Sequence, residues 1–218
     1  MAQGLQQIQL TNTGIAGTFD EAALAREFQS QHFLCLPQFL APNLLTHIQR
    51  QMDSGPWTDR SHGKLGHELT LANPLALHLL RMLMNRPDFL TLFQRISGKG
   101  PFQCFEGRVY RMQPIAEHFD AWHNDIVPEK ERMVGLSINL GREPYEGGVF
   151  LMRDRHSKKL LAELPNLIPG DARLFNIDRN LEHTVTSVTG TFPKTAYAGW
   201  FQGNGLSLVD HLRAGGSH

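Results

Sequence analysis

The chain has 218 residues, 41% hydrophobic and 19% charged, which suits a single soluble globular domain with a substantial core. Lys plus Arg and Asp plus Glu each number 21, so the formal charge is zero, and no basic stripe offers the clustered charge that nucleic acid needs. The opening MAQGLQQIQLTNTG is no secretory signal, and no apolar stretch approaches the roughly 20 residues of a membrane helix. Cys35 and Cys104 are far apart, so a reducing cytoplasm without disulfides is expected, with no membrane or nucleic-acid partner. Histidine is over-represented at 11, and His218 follows AGGS, so residues 214–218 read either as native sequence or as the stub of an expression tag.

Before residue 100 the apolar spacing is helical. FDEAALAREFQSQ (19–31) opens with acidic residues that suit a helix N-terminus. HFLCLPQFL (32–40) is a short apolar run that reads as an early strand. APNLLTHIQRQMDS (41–54) has Pro42 and Asn43 as start signals, and 73–98 predicts two helices meeting at Arg86-Pro87. After residue 100 the pattern turns to short strands at 105–112, 119–125, 133–141, 147–153, 172–177, 183–188 and 195–201. Turn formers separate them, among them REPYEGG, whose paired glycines supply unusual backbone angles. Many short strands without helices between them imply an all-β core with flanking α-helices, of jelly-roll or cupin-like type. The expected organisation is one domain over 1–218, with a mainly helical flank (1–100) against a catalytic core (101–205).

EHFDAWHND (117–125) contains two His-x-Asp patterns, His118 with Asp120 and His123 with Asp125. In one unbroken strand, positions 118 and 123 face opposite ways, so at most one pair faces the interior. Parity alone does not choose. The preceding QPIAE has poor strand propensity, which puts His118 at a loop end and favours His123 and Asp125. The competing reading of His118 and Asp120 is a loop histidine with a capping or salt-bridged aspartate. A third ligand is sought on a late strand: His183 opens a threonine- and valine-rich run, whereas His156 sits in the charged RDRHSKK. Two imidazoles and one carboxylate suit Fe(II) and leave adjacent positions open, two for a bidentate 2-oxo acid and one for O2. Lys194, eleven residues past His183, opens the almost uncharged TAYAGWF. Burying its charge there calls for an anionic partner, which the distal carboxylate of a 2-oxo acid provides. The alternative is an exposed lysine guarding a sheet edge.

WHND, SINL, YEGGVFLM, PGDARLFN, EHTVTSVTG and KTAYAGWF, in this order, resemble the Fe(II)- and 2-oxoglutarate-dependent dioxygenases of prolyl-hydroxylase-like type. The resemblance covers about residues 105–201. It implies a double-stranded β-helix with His123, Asp125 and His183 as iron ligands and Lys194 on the 2-oxoglutarate 5-carboxylate. Asn139 matches the family's leucine-asparagine motif, and Ser137 shares its face. Gln113 falls where relatives often carry a tyrosine near the co-substrate, and many relatives carry arginine in place of Lys194. The carboxylate of Asp125 separates the chain from similar halogenases, which have a small residue there. Arg153, ending GGVFLMR, either reaches a substrate carboxylate or forms an outward salt bridge.

The expected activity is hydroxylation of a C–H bond in a small metabolite, amino acid or peptide, with release of succinate and CO2. Two alternatives stand beside it: a metal-binding cupin-like protein without 2-oxoglutarate chemistry, which has no use for a buried Lys194, and a protein side-chain hydroxylase.

Overall fold

The structure, a computed structural model, describes residues 6–204. The tag question at residues 214–218 and the final position of the expected 101–205 core lie outside the described residues. Two short strands, β1 (Gln9–Leu10) and β2 (Ile15–Ala16), pair ahead of helix α1 (Glu21–Gln31). The α1 helix begins where the Asp20 carboxylate accepts the Ala23 N–H at 3.0 Å, and ends at His32 in the left-handed region, φ 68°. Strand β3 (Phe33–Leu36) links it to α2 (Pro42–Asp53). A hairpin, β4 (Trp57–Ser61) and β5 (Gly66–Leu71), precedes α3 (Pro74–Met84) and α4 (Pro87–Ser97). These last two helices part at Arg86-Pro87, because proline has no N–H to extend α3 yet starts α4 well.

The remaining strands are β6 (Cys104–Met112), β7 (Phe119–Asp120), β8 (Arg132–Asn139), β9 (Glu146–Gly147) and β10 (Phe150–Asp154). They continue as β11 (Leu160–Leu164), β12 (Ala172–Asn176), β13 (Leu181–Val185), β14 (Val188–Thr189) and β15 (Lys194–Gln202). The large antiparallel sheet runs β3-β12-β8-β15-β6-β5-β4, with β7 on β5, and a smaller sheet runs β11-β10-β13. Phe150 of the smaller sheet meets Phe175 of the larger at 5.2 Å between ring centroids, so the two sheets close over a shared interior. This is the expected jelly roll. The first hundred residues are more than a helical flank, however: β3 pairs with β12 and β5 with β6, so they extend the main sheet at both edges.

Strand alternation sorts the large sheet into two faces. Phe105 and Val109 of β6, Leu136 and Ile138 of β8, Leu174 of β12 and Phe201 of β15 share one core with the helices. Phe201 lies 5.9 Å from Phe89 and 5.5 Å from Phe93 of α4, and 4.9 Å from both Phe102 and Phe105. Burying one such ring is worth about 1.5–3 kcal/mol. The alternate positions, including Tyr110, Ser137, Arg173 and Lys194, line an interior cavity of about 330 Å³. Among the described residues no helix is long and apolar enough to cross a membrane.

Candidate metal centre

His183 on β13 and His123 meet through paired backbone hydrogen bonds, N–H to O at 3.0 Å and 2.8 Å. The stretch 119–125 is not the continuous strand expected: β7 stops at Asp120, and only the bridge at His123 returns to sheet pairing. Asp125 then takes φ 59°, a left-handed conformation that aspartate tolerates better than most residues. That turn brings its carboxylate back between the two rings. Oδ1 lies 3.4 Å from His123 Nε2 and Oδ2 lies 3.3 Å from His183 Nε2. The three residues each offer a donor atom within 4.8 Å of the others.

Neighbours hold each group in place. The Nδ1 of His123 lies 2.7 Å from the Ala121 carbonyl, so it carries the proton that donates there, and Nε2 is the nitrogen aimed at Asp125, the one that a metal would take in place of a proton. His183 is flanked by Phe150 at 5.5 Å and Phe175 at 4.8 Å. Burial opposes charge on His123, but the Asp125 hydrogen bond and the charges of Asp120 and Asp125 push its imidazole up to about 9. Burial likewise opposes charge on Asp125, yet the two imidazoles hold its carboxyl well below the usual range. The site therefore favours positive charge at one point between three donors. A divalent cation fits there in place of the proton, with the ligand types that Fe(II) takes in two-histidine, one-carboxylate centres.

The other His-x-Asp pair separates. Asp120 faces the same cavity: one oxygen accepts the Val185 N–H at 2.8 Å and the other lies 3.7 Å from His123 Nδ1. His118 is buried in a second cluster with His67 and Asp59. Its Nδ1 accepts the Gln113 N–H at 2.8 Å, so in the neutral ring Nε2 carries the proton and no lone pair is free for a metal.

Lys194 opens β15 in the same cavity, 6% exposed, its ammonium donating to the Gly148 carbonyl at 3.0 Å. Among the described residues no carboxylate lies within 4.0 Å of it, and burial, with Arg173 nearby, pulls its pKa down to about 7. Gly148, the second glycine of YEGG, has φ 61°, and a Cβ there would come within 3.2 Å of the lysine chain. Ser137 and Asn139 line the cavity as expected, but the Asn139 amide is occupied by the Gly141 N–H at 2.8 Å and the Leu167 carbonyl at 2.6 Å.

Gln113 does not line the cavity, and Arg153 takes the outward salt bridge, the second of its two expected roles. Gln113 lies beyond the end of β6 with the parity of the helix-facing positions, and Tyr110, three residues earlier, faces the cavity instead. Arg153 is on the opposite face of β10 from Phe150 and Met152; it bonds Glu182 at 2.9 Å, lies over Trp122 at 3.8 Å and does not line the cavity. Sequence reasoning also missed Arg173 of β12, buried beside Lys194 with an Nε that has no hydrogen-bond partner among the described residues. The β4–β5 hairpin, unpredicted, adds Arg60, His62 and Glu68 to the cavity wall.

Solved structures share this architecture. An oxidoreductase of the 2OG-Fe(II) oxygenase family from Burkholderia pseudomallei aligns at TM-score 0.65 and 15% identity, over 93% of this chain and 98% of that one. A Pseudomonas putida prolyl-4-hydroxylase aligns at TM-score 0.61 and 17% identity, over 85% of this chain and all (100%) of its own. The epimerase SnoN, in complex with Fe3+, alpha ketoglutarate and nogalamycin RO, aligns at TM-score 0.60 and 15% identity, over 84% of each chain. No protein-family model and no curated protein matches the sequence. At these identities the likeness establishes the fold, a double-stranded β-helix of the kind found in 2-oxoglutarate/Fe(II) oxygenases.

Proposed function

We propose that the chain is an Fe(II)- and 2-oxoglutarate-dependent oxygenase that hydroxylates a C–H bond of a small metabolite, amino acid or peptide. One observation carries the reading: a His-Asp-His triad and a buried lysine without a carboxylate partner among the described residues share one cavity. A metal-binding module without the co-substrate has no need for that lysine, whose burial is costly unless an anion joins it. The fold shared with a SnoN complex holding Fe3+ and alpha ketoglutarate supports the same cofactors here.

In this reading His123 and His183 hold the iron through Nε2 and Asp125 through its carboxylate. When bound, iron and 2-oxoglutarate supply the activation of O2, with 2-oxoglutarate leaving as succinate and CO2. Ala121 and the Phe150–Phe175 pair keep the two imidazoles aimed. Lys194 takes the distal carboxylate of 2-oxoglutarate in a charge-assisted bond, and the apolar walls of Met112, Val185 and Ala196 keep water from that end. Calorimetric titration of 2-oxoglutarate into the Mn(II)-loaded protein tests this. Binding that requires both the metal and Lys194 is expected, and binding that needs neither overturns the reading.

A further inference from the structure

We infer that the primary substrate carries an anionic oxygen group, a carboxylate or a phosphate, which docks on a guanidinium cluster formed by Arg60, Arg108 and Arg132. The inference rests on the oxygenase reading of this cavity and deepens it by naming the substrate class.

The cluster lies at the end of the cavity away from the co-substrate lysine. Lys194 and Trp200 both line the cavity from β15, and six residues of strand separate them by roughly 20 Å. At the Trp200 end, the Arg132 guanidinium stacks 3.5 Å over the indole, and Arg108 approaches the same ring at 5.7 Å. Arg132 Nη1 donates to the Asp125 carbonyl at 3.3 Å and lies 3.8 Å from Asp125 Oδ1, so this arginine adjoins the metal centre. Arg60 reaches the cavity from β4, where it sits in register opposite Glu68 of β5.

Charge is unbalanced here. Among the described residues two carboxylates besides Asp125 act at this end, Glu68 in the wall and Glu106 opposite Trp200, and both are taken: Arg108 grips Glu68 with Nε and Nη2 with His62 3.4 Å away, and Lys130 and Gln202 donate to Glu106. The Arg60 side chain makes no hydrogen bond or ion pair among the described residues, and the buried Nε of Arg132 has no partner among them. A guanidinium is planar by resonance, and stacking on Trp200 fixes the orientation of the Arg132 plane, whose N–H donors match carboxylate or phosphate oxygens. The co-substrate cannot use them, because its carboxylates are drawn to Lys194 and to the metal. A cavity of about 330 Å³, open to solvent on one side, leaves room beside 2-oxoglutarate for a small molecule or for one side chain of a peptide. Its anionic end sits on the arginines and its C–H bond projects toward Asp125.

The test uses protein saturated with Mn(II) and 2-oxoglutarate, titrated with acetate, methyl phosphate and neutral acetamide, with Trp fluorescence as readout. Saturable binding of acetate or methyl phosphate, but not acetamide, is expected, and the tighter anion identifies the head group. Arg60→Gln, on an exposed strand, should weaken that binding about tenfold or more, the scale of one lost charge-assisted hydrogen bond. Arg132→Lys, which keeps the charge and loses the stacked fork, should weaken it less than Arg132→Gln. Lys64→Gln in the same hairpin should change nothing. Equal binding of acetamide, no binding of either anion, or anion affinity unmoved by both Arg60→Gln and Arg132→Gln would overturn the inference. Failure of the oxygenase reading looks different: 2-oxoglutarate does not bind, while anion affinity still depends on Arg60 and not on Lys194.

Discussion

Replacing Lys194 by methionine should stabilise the protein and disable it. The ammonium is buried, and its pKa falls from 10.5 to about 7. The unfolded chain therefore binds more protons than the folded chain between about pH 7 and 10.5, and this group's contribution to stability rises with pH across that window. Below pH 7 the lysine is charged in both states and the full penalty applies, on the order of 4–5 kcal/mol at about 1.4 kcal/mol per pKa unit. Loss of the hydrogen bond to the Gly148 carbonyl offsets about 1.5–3 kcal/mol of that gain. Roughly 2 kcal/mol remains, and a domain of this size should melt about 4–8 °C higher at pH 6 without 2-oxoglutarate. The difference should close as pH rises toward the lysine's unfolded value. In the same variant the affinity for 2-oxoglutarate should fall about 10- to 150-fold, from the lost charged hydrogen bond. Wild-type protein should take up a proton on binding 2-oxoglutarate above pH 7, visible as a buffer-dependent calorimetric enthalpy. Scanning calorimetry and titration calorimetry read these effects. A variant that melts no higher and binds 2-oxoglutarate like wild type would refute the reasoning.

His123→Ala or His183→Ala should abolish Mn(II) binding followed by paramagnetic resonance, whereas His118→Ala should retain it; the reverse pattern would assign the metal to the wrong His-x-Asp pair. Gly135→Ala should impair metal binding without touching a ligand, because a Cβ there would lie 2.1 Å from the Phe175 ring that packs on His183; wild-type metal affinity in that variant would show that Phe175 can yield. Turnover with the true substrate in high chloride should give oxygenated or desaturated product and no chlorinated one by mass spectrometry, since Asp125 fills the position a halide would take.

The legible features were those set by local chemistry. Proline at position 87 parts α3 from α4, Gly147 and Gly148 take φ 62° and 61° in YEGG, and strand parity puts Ser137, Asn139 and Lys194 on one face. The same parity, counted along β6, would have exchanged Gln113 for Tyr110, and counted along β10 it would have turned Arg153 away from the cavity. Other features depend on long-range pairing. WTDRSHGKLGHELTL is too rich in charge to read as strands until β6 pairs with β5. Arg173 looks like an ordinary residue in PGDARLFN, because buried arginines are uncommon and only the facing sheet buries this one. His123 and Asp125 come together through the left-handed turn at Asp125, not through the alternation of one unbroken strand, so the parity premise does not hold there, and the weak strand propensity of QPIAE is what singled the pair out.

Succinate formed from 2-oxoglutarate by the Fe(II)-loaded protein, compared between wild type and Asp125→Ala, tests the central claim most directly. Oxygen-dependent succinate is expected from wild type, slow without the primary substrate, and none above the level of free iron from the variant. No succinate from a wild-type protein carrying both iron and 2-oxoglutarate, or equal amounts from Asp125→Ala, would contradict it.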